Sequence, residues 1–421
     1  MRYLYTLIWY LLLPGYLLRL YWRSLRAPAY RDRLSERFGF ADLRVCGVSI
    51  WIHAVSVGET QAAEPLVRQL LERYPGYPVV ITTTTPTGAE RVRTLFGDTV
   101  LHAYFPLDIP FAVDRFLERT RPAVLVMMET EIWPNLLLAC RRRSIRTVLA
   151  NARMSARSAA GYARFSGLSR EVFAALDAVA AQAAPDAARF VALGACPERV
   201  RVTGSIKFDV RLPASLREQA EVLRRQWGGR AVWVAASTHE GEEAQVLEAH
   251  QRVLAAHPGA LLVLVPRHPE RFERVAALVK KTGLTLARRS SGTVVGGGTQ
   301  VCLGDTMGEL MVFLAAADAA FVGGSLVPTG GHNVLEPAAL GLPVVFGPHM
   351  FNFSTISTML LEEGAALEVG SAEALSEVIG GWLGDASERT RVGARGREMV
   401  AANRGAVQRL LEVLERQLVE Y

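Results

Sequence analysis

Short apolar segments alternate with longer amphipathic segments along the chain, and this alternation predicts the architecture. The short runs hold three to seven residues, whereas in the longer segments apolar positions recur every three or four residues. We interpret the first as buried strands and the second as helices. The strands are Val48–Ala54, Val79–Thr83, Val100–Tyr104, Ala123–Met128 and Thr147–Ala150, and the helices are Ala62–Arg73, Ala89–Phe96, Phe111–Arg119 and Asn135–Arg143. This order is typical of a parallel sheet covered by helices on both faces.

The pattern restarts after Trp227, which predicts a second α/β set. Strands Ala178–Ala181 and Val200–Thr203 extend the first sheet; the second set holds helix Glu242–His257 and strands Ala231–Ala236, Leu261–Val265, Val301–Leu303, Ala319–Val322 and Val344–Phe346. We place the joint at Phe208–Ser215 and expect two doubly wound domains, 27–210 and 211–421, with a cleft at the carboxyl ends of both sheets. The last helix, Val407–Gln417, is a candidate to cross back to the first domain.

The N-terminal segment differs from the rest. Tyr3–Leu18 carries no charge, is short for a spanning helix and is expected to break at Pro14–Gly15. The first fifty residues hold three acids against eight arginines: Arg2, Arg19, Arg23, Arg26, Arg31, Arg33, Arg37 and Arg44. The whole chain carries only +6. The remainder is therefore nearly neutral, which argues against nucleic-acid binding and favours anionic lipid.

These features predict a membrane anchor at 1–26 with its basic flank on the cytoplasmic side. A helix packed on the protein body is the alternative. A signal peptide is a poorer interpretation, because no small-residue cleavage site follows the apolar run.

The string HAVSVGET, His53–Thr60, joins a predicted strand to a predicted helix. Gly58 allows a ligand to approach the backbone, and a helix N-terminus favours an anion. Glu59 then places a carboxylate, a candidate general base, beside that anion site. The alternative is that Glu59 only stabilises the helix N-terminus.

Other loops after predicted strands also carry candidate chemistry. Glu129 and Glu131 follow an apolar strand and suit stabilisation of a reacting group; the alternative is that Thr130 or Glu131 caps a helix. Arg267–His268 suit a phosphate or a base, or form a surface loop. Gly330–Gly331 resemble a phosphate cradle, with Glu336 placed to bind ribose hydroxyls. The four cysteines have no metal-ligand spacing and are expected to be buried, reduced thiols, so we predict no metal.

Lysine is rare: Lys207 is one of three, and the other 44 basic residues are arginine. A site that needs a compact ammonium rather than the larger, planar guanidinium of arginine would explain why Lys207 is retained. Chance is the alternative.

Together the ordered motifs HAVSVGE, TPTGAERV, METEIWPN, LANARMSARSAAGYAR, VTGSIKFD, ASTHEGEE, VLVPRHPERF, GDTMGEL, FVGGSL, GGHNVLEP and FGPHMFNF closely resemble the 3-deoxy-D-manno-octulosonic acid (Kdo) transferases of lipopolysaccharide synthesis. The resemblance covers almost the whole chain. It implies a GT-B fold of two Rossmann-like domains, the first binding the acceptor and the second the nucleotide sugar. It also implies an inverting transfer of Kdo from CMP-Kdo to the lipid A precursor (lipid IVA), with no cofactor, at the cytoplasmic face of the inner membrane.

The resemblance also implies roles for individual residues. Glu59 matches the catalytic base, and Glu129 and Lys207 match groups that stabilise the transition state. Residues that match CMP contacts are Arg267, His268, Met307, Gly308, Glu309, Asn333, Val334, Leu335 and Glu336. Val334 departs from the family, which commonly has proline there, so the stiffness of that loop is in question.

Two other functions are compatible with the same pattern. One is a membrane-associated GT-B transferase that uses a UDP-sugar, and the other is a non-catalytic membrane scaffold with this fold. The presence of Glu59, Glu129 and Lys207 counts against the scaffold.

Overall fold

The computed structural model describes residues 1–43 and 45–419; Arg44, one of the eight arginines counted above, lies outside them. The described chain divides into two compact units. Unit 1 comprises Met1–Asp209 and the C-terminal segment that begins at Arg404, and unit 2 comprises Val210–Asn403.

Unit 1 is built on a seven-stranded parallel sheet. Its strands are β1 (Ser49–His53), β2 (Val79–Thr83), β3 (Leu101–Tyr104), β4 (Pro122–Met128), β5 (Arg146–Ala152), β6 (Ala178–Ala181) and β7 (Val200–Val202). They lie in the order β3-β2-β1-β4-β5-β6-β7. Its helices are α1 (Arg2–Arg26), α2 (Val57–Arg73), α3 (Pro86–Phe96), α4 (Pro110–Thr120), α5 (Pro134–Arg142), α6 (Ala156–Ala163), α7 (Ser166–Phe173) and α8 (Ala184–Ala192).

The central strands of unit 1, β1 and β4, are mainly apolar and fully buried because both faces of the sheet are covered there. Within β1, Ile50 and Ile52 point into one hydrophobic cluster and Trp51 into the other. In β4, Val124 and Leu125 alternate in the same way. A side-chain period of two therefore fills two cores at once, which explains the continuous apolar runs.

Unit 2 repeats the arrangement. Its strands are β8 (Val232–Thr238), β9 (Leu261–Pro266), β10 (Leu286–Arg288), β11 (Val301–Leu303), β12 (Ala319–Val322), β13 (Val344–Phe346) and β14 (Ala366–Glu368). Their order is β10-β11-β9-β8-β12-β13-β14, and all neighbours are parallel. Its helices are α9 (Leu216–Gln226), α10 (Glu242–Ala256), α11 (Phe272–Lys281), α12 (Leu310–Ala315), α13 (Leu335–Leu340), α14 (Ser354–Glu362), α15 (Ala372–Gly384) and α16 (Ala386–Ala402). The predicted α/β class with two parallel sheets is confirmed.

The last helix, α17 (Ala406–Val419), belongs to unit 1. Its residues Val407, Leu410, Leu411, Leu414 and Leu418 enter the same cluster as the inner face of α2. The carboxylate of Asp209 accepts hydrogen bonds from the N–H groups of residues 405 and 407, which fixes the start of this helix.

The predicted break at Pro14–Gly15 is wrong, because α1 is continuous from Arg2 to Arg26. Proline removes one helical hydrogen bond, yet the uninterrupted apolar sequence around it keeps the helical conformation. Among the described residues, α1 is long and apolar enough to cross a membrane, by length and composition. Large apolar side chains such as Tyr3, Leu11 and Trp22 are exposed along it. This exposed surface is compatible with membrane association.

Two smaller expectations also need correction. Helix α2 starts at Val57, five residues before the predicted start, because Ser56 caps it and accepts a hydrogen bond from the Glu59 N–H. The four cysteines are free, but only Cys140 and Cys302 are buried, and Cys46 is exposed.

Candidate active site

The topology of unit 1 marks one place in its sheet for a ligand. From β1 the chain continues to β2 and β3 on one side, whereas β4 and the following strands lie on the other side. In such a sheet, ligands bind outside the carboxyl ends of the strands at the point where the order reverses. Here that point lies between β1 and β4. The loop after β1 leads to Glu59 in the first turn of α2, and the loop after β4 carries Glu129 and Glu131.

Glu59 lies in the first turn of α2, where its carboxylate is anchored by its own loop. Its Oε2 accepts a hydrogen bond from the Val55 N–H at 2.8 Å, and its Oε1 accepts one from the Ser56 hydroxyl at 3.1 Å. With the Ser56 cap, this resembles a capping box, except that the carboxylate accepts from the N–H of Val55, one residue before the N-cap. Burial, reinforced by the charges of Glu129 and Glu131, raises the pKa of Glu59 to about 7. One side chain therefore both stabilises the start of α2 and has a pKa near neutral pH, the range suited to a general base.

Glu129 and Lys207 are brought together by the structure. Lys207 Nζ lies 3.8 Å from Glu129 Oε1, although 78 residues separate them in sequence. Glu129 has a φ of +58°, a left-handed conformation that is uncommon for a non-glycine residue. Such strain persists only where the surroundings impose it, and it clusters at functional sites. The ammonium and the carboxylate form a charged pair at the carboxyl edge of the sheet.

Glu131 joins this group, together with a buried histidine. Burial, and then the charge of Glu129, raises the pKa of Glu131 to about 7. Its Oε2 accepts a hydrogen bond from the Trp133 indole and lies 4.0 Å from His53 Nε2. His53 is fully buried, which lowers its pKa to about 3, so it is neutral. Among the described residues its Nε2 has no hydrogen-bond partner.

The alternative role of helix capping does not apply to Glu131 or Thr130. Helix α5 begins at Pro134, and its first N–H groups donate instead to Asp108, from residues 135 and 136. The carboxylate of Glu131 is therefore not used to cap the helix. Four ionisable groups thus surround the switch point of unit 1, namely Glu59, Glu129, Glu131 and Lys207.

Asn151 holds the backbone next to Lys207. It is the last residue but one of β5 and has a φ of +53°. Its buried Oδ1 accepts a hydrogen bond from the Ile206 N–H at 3.2 Å. Ile206 immediately precedes Lys207, whose own N–H donates to the Ser205 hydroxyl. The amide of Asn151 therefore positions the short turn that carries the ammonium.

Unit 2 has a corresponding switch point between β8 and β12. His239 after β8 and His332 after β12 meet there with their Nε2 atoms 2.7 Å apart. Burial lowers the pKa of both, that of His332 to about 4, so one neutral ring donates to the other. Glu242 is wholly buried and accepts hydrogen bonds from four backbone N–H groups, those of residues 239, 324, 325 and 326. This carboxylate fixes the glycine-rich loop after β12.

The predicted nucleotide contacts follow strands of the same sheet. Arg267 and His268 follow β9 and are exposed. Residues 307–309 follow β11; Met307 is exposed, whereas Glu309 is held by the guanidinium of Arg289 at 2.7 Å. The Glu309 carboxylate is therefore engaged within the protein, and its pKa is lowered by that guanidinium.

The loop after β12 carries the remaining predicted contacts. Asn333 donates a hydrogen bond to Glu336 at 3.1 Å, and burial raises the pKa of that carboxyl. Val334 is buried with a φ of −80°, close to the value that proline imposes. The backbone therefore adopts a proline-like conformation here without proline.

Glu131 was a candidate from the sequence, but four further residues of these sites, His53, Asn151, His239 and His332, were not. Each occurs in a string that was recognised, but only the strand order shows that these strings converge. Among the described residues, no group of three or more His, Cys, Asp or Glu side chains is arranged to hold a metal ion.

Comparison with known proteins places the chain in a family. Residues 32–210 match the family model described as "3-Deoxy-D-manno-octulosonic-acid transferase (kdotransferase)". The 3-deoxy-D-manno-octulosonic acid transferase of Haemophilus influenzae is 45% identical over 98% of each chain. That of Bordetella pertussis is 41% identical over 94% of each chain.

A solved structure supports the fold alone. The UDP-GlcNAc 2-epimerase of Neisseria meningitidis, bound to UDP-GlcNAc, is 14% identical, has a TM-score of 0.57 and covers 88% of this chain and 100% of its own. This likeness confirms the predicted GT-B fold class. From the family match and the two sequence identities above, it follows that the chain belongs to the family of 3-deoxy-D-manno-octulosonic acid transferases and is a glycosyltransferase.

Proposed function

We propose that this protein transfers Kdo from CMP-Kdo to the lipid A precursor, with inversion at the anomeric carbon, in lipopolysaccharide core synthesis. The observation that carries the proposal is the 45% identity to a named Kdo transferase over nearly the whole chain. The site in unit 1 supports it, because a base with a pKa of about 7 suits deprotonation of a sugar hydroxyl.

In the proposed reaction, Glu59 accepts the proton of the acceptor hydroxyl as its oxygen attacks the anomeric carbon of Kdo. The bond between that carbon and the phosphate oxygen breaks, and CMP leaves with the electron pair. Lys207, paired with Glu129, stabilises the negative charge that develops on the leaving phosphate. The proton ends on Glu59 and is then lost to solvent.

The second unit is proposed to bind the CMP moiety. Three groups of residues follow strands β9, β11 and β12 at the carboxyl edge of the sheet, where β9 and β11 are adjacent and β8 separates β9 from β12. They are Arg267 and His268, residues 307–309 and residues 333–336. Arginine and backbone N–H groups suit the phosphate, and Glu336 suits ribose hydroxyls. For the domains themselves we propose an acceptor-binding part, 27–210, and a nucleotide-sugar-binding part, 211–421, with α17 crossing back to the former.

Calorimetry with nucleotides tests the donor. We expect CMP to bind and UDP to bind at least tenfold more weakly. Equal binding of both nucleotides, together with turnover of a UDP-sugar, would favour the alternative transferase. Binding of CMP without transfer to any lipid acceptor would favour the non-catalytic scaffold.

We further propose that 1–26 attaches the protein to the cytoplasmic face of the inner membrane. Deleting these residues should release the protein from anionic vesicles. It should also lower the melting temperature by a few degrees, because Trp9 and Leu13 cover a small cluster around Ile109. Vesicle sedimentation and circular dichroism measure the two effects. A deleted protein that still sediments with vesicles at high salt would place the anchor elsewhere.

Asn151→Gly should lower kcat about tenfold to a hundredfold while leaving CMP affinity unchanged. The substitution frees the turn that carries Lys207, and a catalytic group displaced by about 1 Å can lower the rate by up to about a hundredfold. Glycine keeps the positive φ and removes only the amide. The decisive comparison is with Lys207→Ala: the double variant should be no slower than Lys207→Ala alone, because Asn151 acts through the lysine. Additive losses would contradict this positioning role.

A further inference from the structure

Unit 1 contains an apolar pocket of about 300 Å³ that the proposed mechanism does not use. Helix α1 forms one wall through Leu4 and Ile8, and α7 with its preceding residue forms another through Phe165 and Leu168. The floor includes Ile132 and Pro134. A volume of this size is at the lower end of the range for ligand pockets in proteins.

The pocket lies beside the three carboxylates of the candidate active site, Glu59, Glu129 and Glu131, which we call the acidic cluster. Ile132 directly follows Glu131 in the chain. Tyr162 also lines the pocket, and burial together with the charge of Glu131 raises its pKa. A molecule that filled the pocket would therefore have its other end next to the carboxylates that surround the proposed base.

Polar contacts fix the wall that α1 provides. The Tyr5 hydroxyl donates to Asp108 Oδ2 at 2.9 Å, and Arg2 Nε and Thr6 Oγ1 donate to Asn135 Oδ1 at 3.2 and 3.1 Å. Asp108 is the carboxylate that also caps α5. Helix α1, which is long and apolar enough to cross a membrane by length and composition, is thereby held at the edge of the pocket.

The segment around the pocket is basic. Between residues 153 and 170 the chain holds four exposed arginines and no acid: Arg153, Arg157, Arg164 and Arg170. Arg164 and Arg170 flank the stretch that contributes Phe165 and Leu168. An apolar pocket with a cationic surround is complementary to an amphiphile that has an alkyl chain and an anionic head group.

We propose that this pocket binds one acyl chain of the anionic lipid acceptor and so places the acceptor hydroxyl at the acidic cluster. The inference rests on the proposed function and deepens it, since it assigns acyl recognition to α1 and α7. Each methylene buried in an apolar site contributes about fourfold to affinity. The pocket therefore selects acylated acceptors over their sugar head groups.

Tryptophan variants on one helix test the proposal. Leu4→Trp and Ile8→Trp fill the pocket, whereas Leu7→Trp is the matched control, because Leu7 is as exposed as Leu4 (54% and 52%) and does not line it. Transfer from CMP-Kdo is measured with the lipid A precursor and with its fully deacylated sugar, at fixed detergent concentration. Wild type should show a KM at least a hundredfold lower for the acylated acceptor.

In Leu4→Trp and Ile8→Trp this preference should fall at least tenfold, while KM for the deacylated acceptor stays within twofold of wild type. Leu7→Trp should behave as wild type. An unchanged preference for the acylated acceptor in both pocket variants would overturn the acyl site. An equal loss of preference in Leu7→Trp would also overturn it, because the effect would then come from micelle binding by α1. Absence of transfer by wild type to either acceptor would instead overturn the proposed function.

Discussion

Glu59→Gln should lower the rate of Kdo transfer by about 10²–10⁴-fold, the range associated with a general base. Glutamine preserves size and can still accept the hydrogen bond from the Val55 N–H, so the helix cap is retained. CMP affinity should be nearly unchanged, because the carboxylate is proposed to contact the acceptor. Single-turnover transfer measures the chemistry, and Glu72→Gln, an exposed position on the same helix, is the control.

The pH dependence provides a second test of Glu59. In wild type, kcat/KM should rise with pH through about 7, because the base works only when deprotonated. Glu131 has a similar pKa, so this ascending limb belongs to the coupled pair. In Glu59→Gln the residual rate should lack the steep rise. Wild-type activity in this variant would remove Glu59 from the mechanism.

The contribution of Glu59 to folding stability should fall with rising pH, whereas kcat/KM should rise. A carboxyl whose pKa is raised in the folded state favours folding when protonated, and that contribution is lost as pH rises through about 7. Glutamine resembles the protonated form. The melting temperature of Glu59→Gln at pH 8 should therefore equal or exceed that of wild type, which separates lost chemistry from lost folding.

Lys207→Arg should lower the rate of transfer on the order of 10²-fold, as should Lys207→Ala, in proteins that remain folded. The ammonium is a compact point charge 3.8 Å from Glu129, whereas a guanidinium is larger, planar and binds through a fork. Lys280→Arg, at an exposed position on α11, is the matched control and should be neutral. A fully active Lys207→Arg enzyme would show that only the charge is required there.

The periodicity of apolar residues predicted most of the fold, because buried parallel strands need continuous apolar runs. Ala178–Ala181, Val301–Leu303, Ala319–Val322 and Val344–Phe346 agree with the structure at both ends. Strands β10 and β14 were missed because each has three residues and lies at an edge of its sheet, where little side-chain burial marks it. The start of α2 was missed because Ser56 caps a turn without apolar periodicity.

The site was predictable only in part, since its residues come from loops that are distant in sequence. Glu59, Glu129 and Lys207 were assigned through the family resemblance, and the structure brings the last two within 3.8 Å. Glu131 and His53 become part of the group only because β1 and β4 are neighbours. Likewise, the contact between His239 and His332 depends on the pairing of β8 with β12, which no local pattern encodes.

Mass spectrometry of the lipid A precursor after incubation with CMP-Kdo tests the central claim most directly, because it reports donor, acceptor and number of additions together. Wild-type protein should shift the lipid by the mass of one or more Kdo residues, and the Glu59→Gln protein should leave it unmodified over the same time. An unshifted lipid with wild-type protein would contradict the proposed activity. An equal shift with both proteins would contradict the assignment of Glu59 as the base.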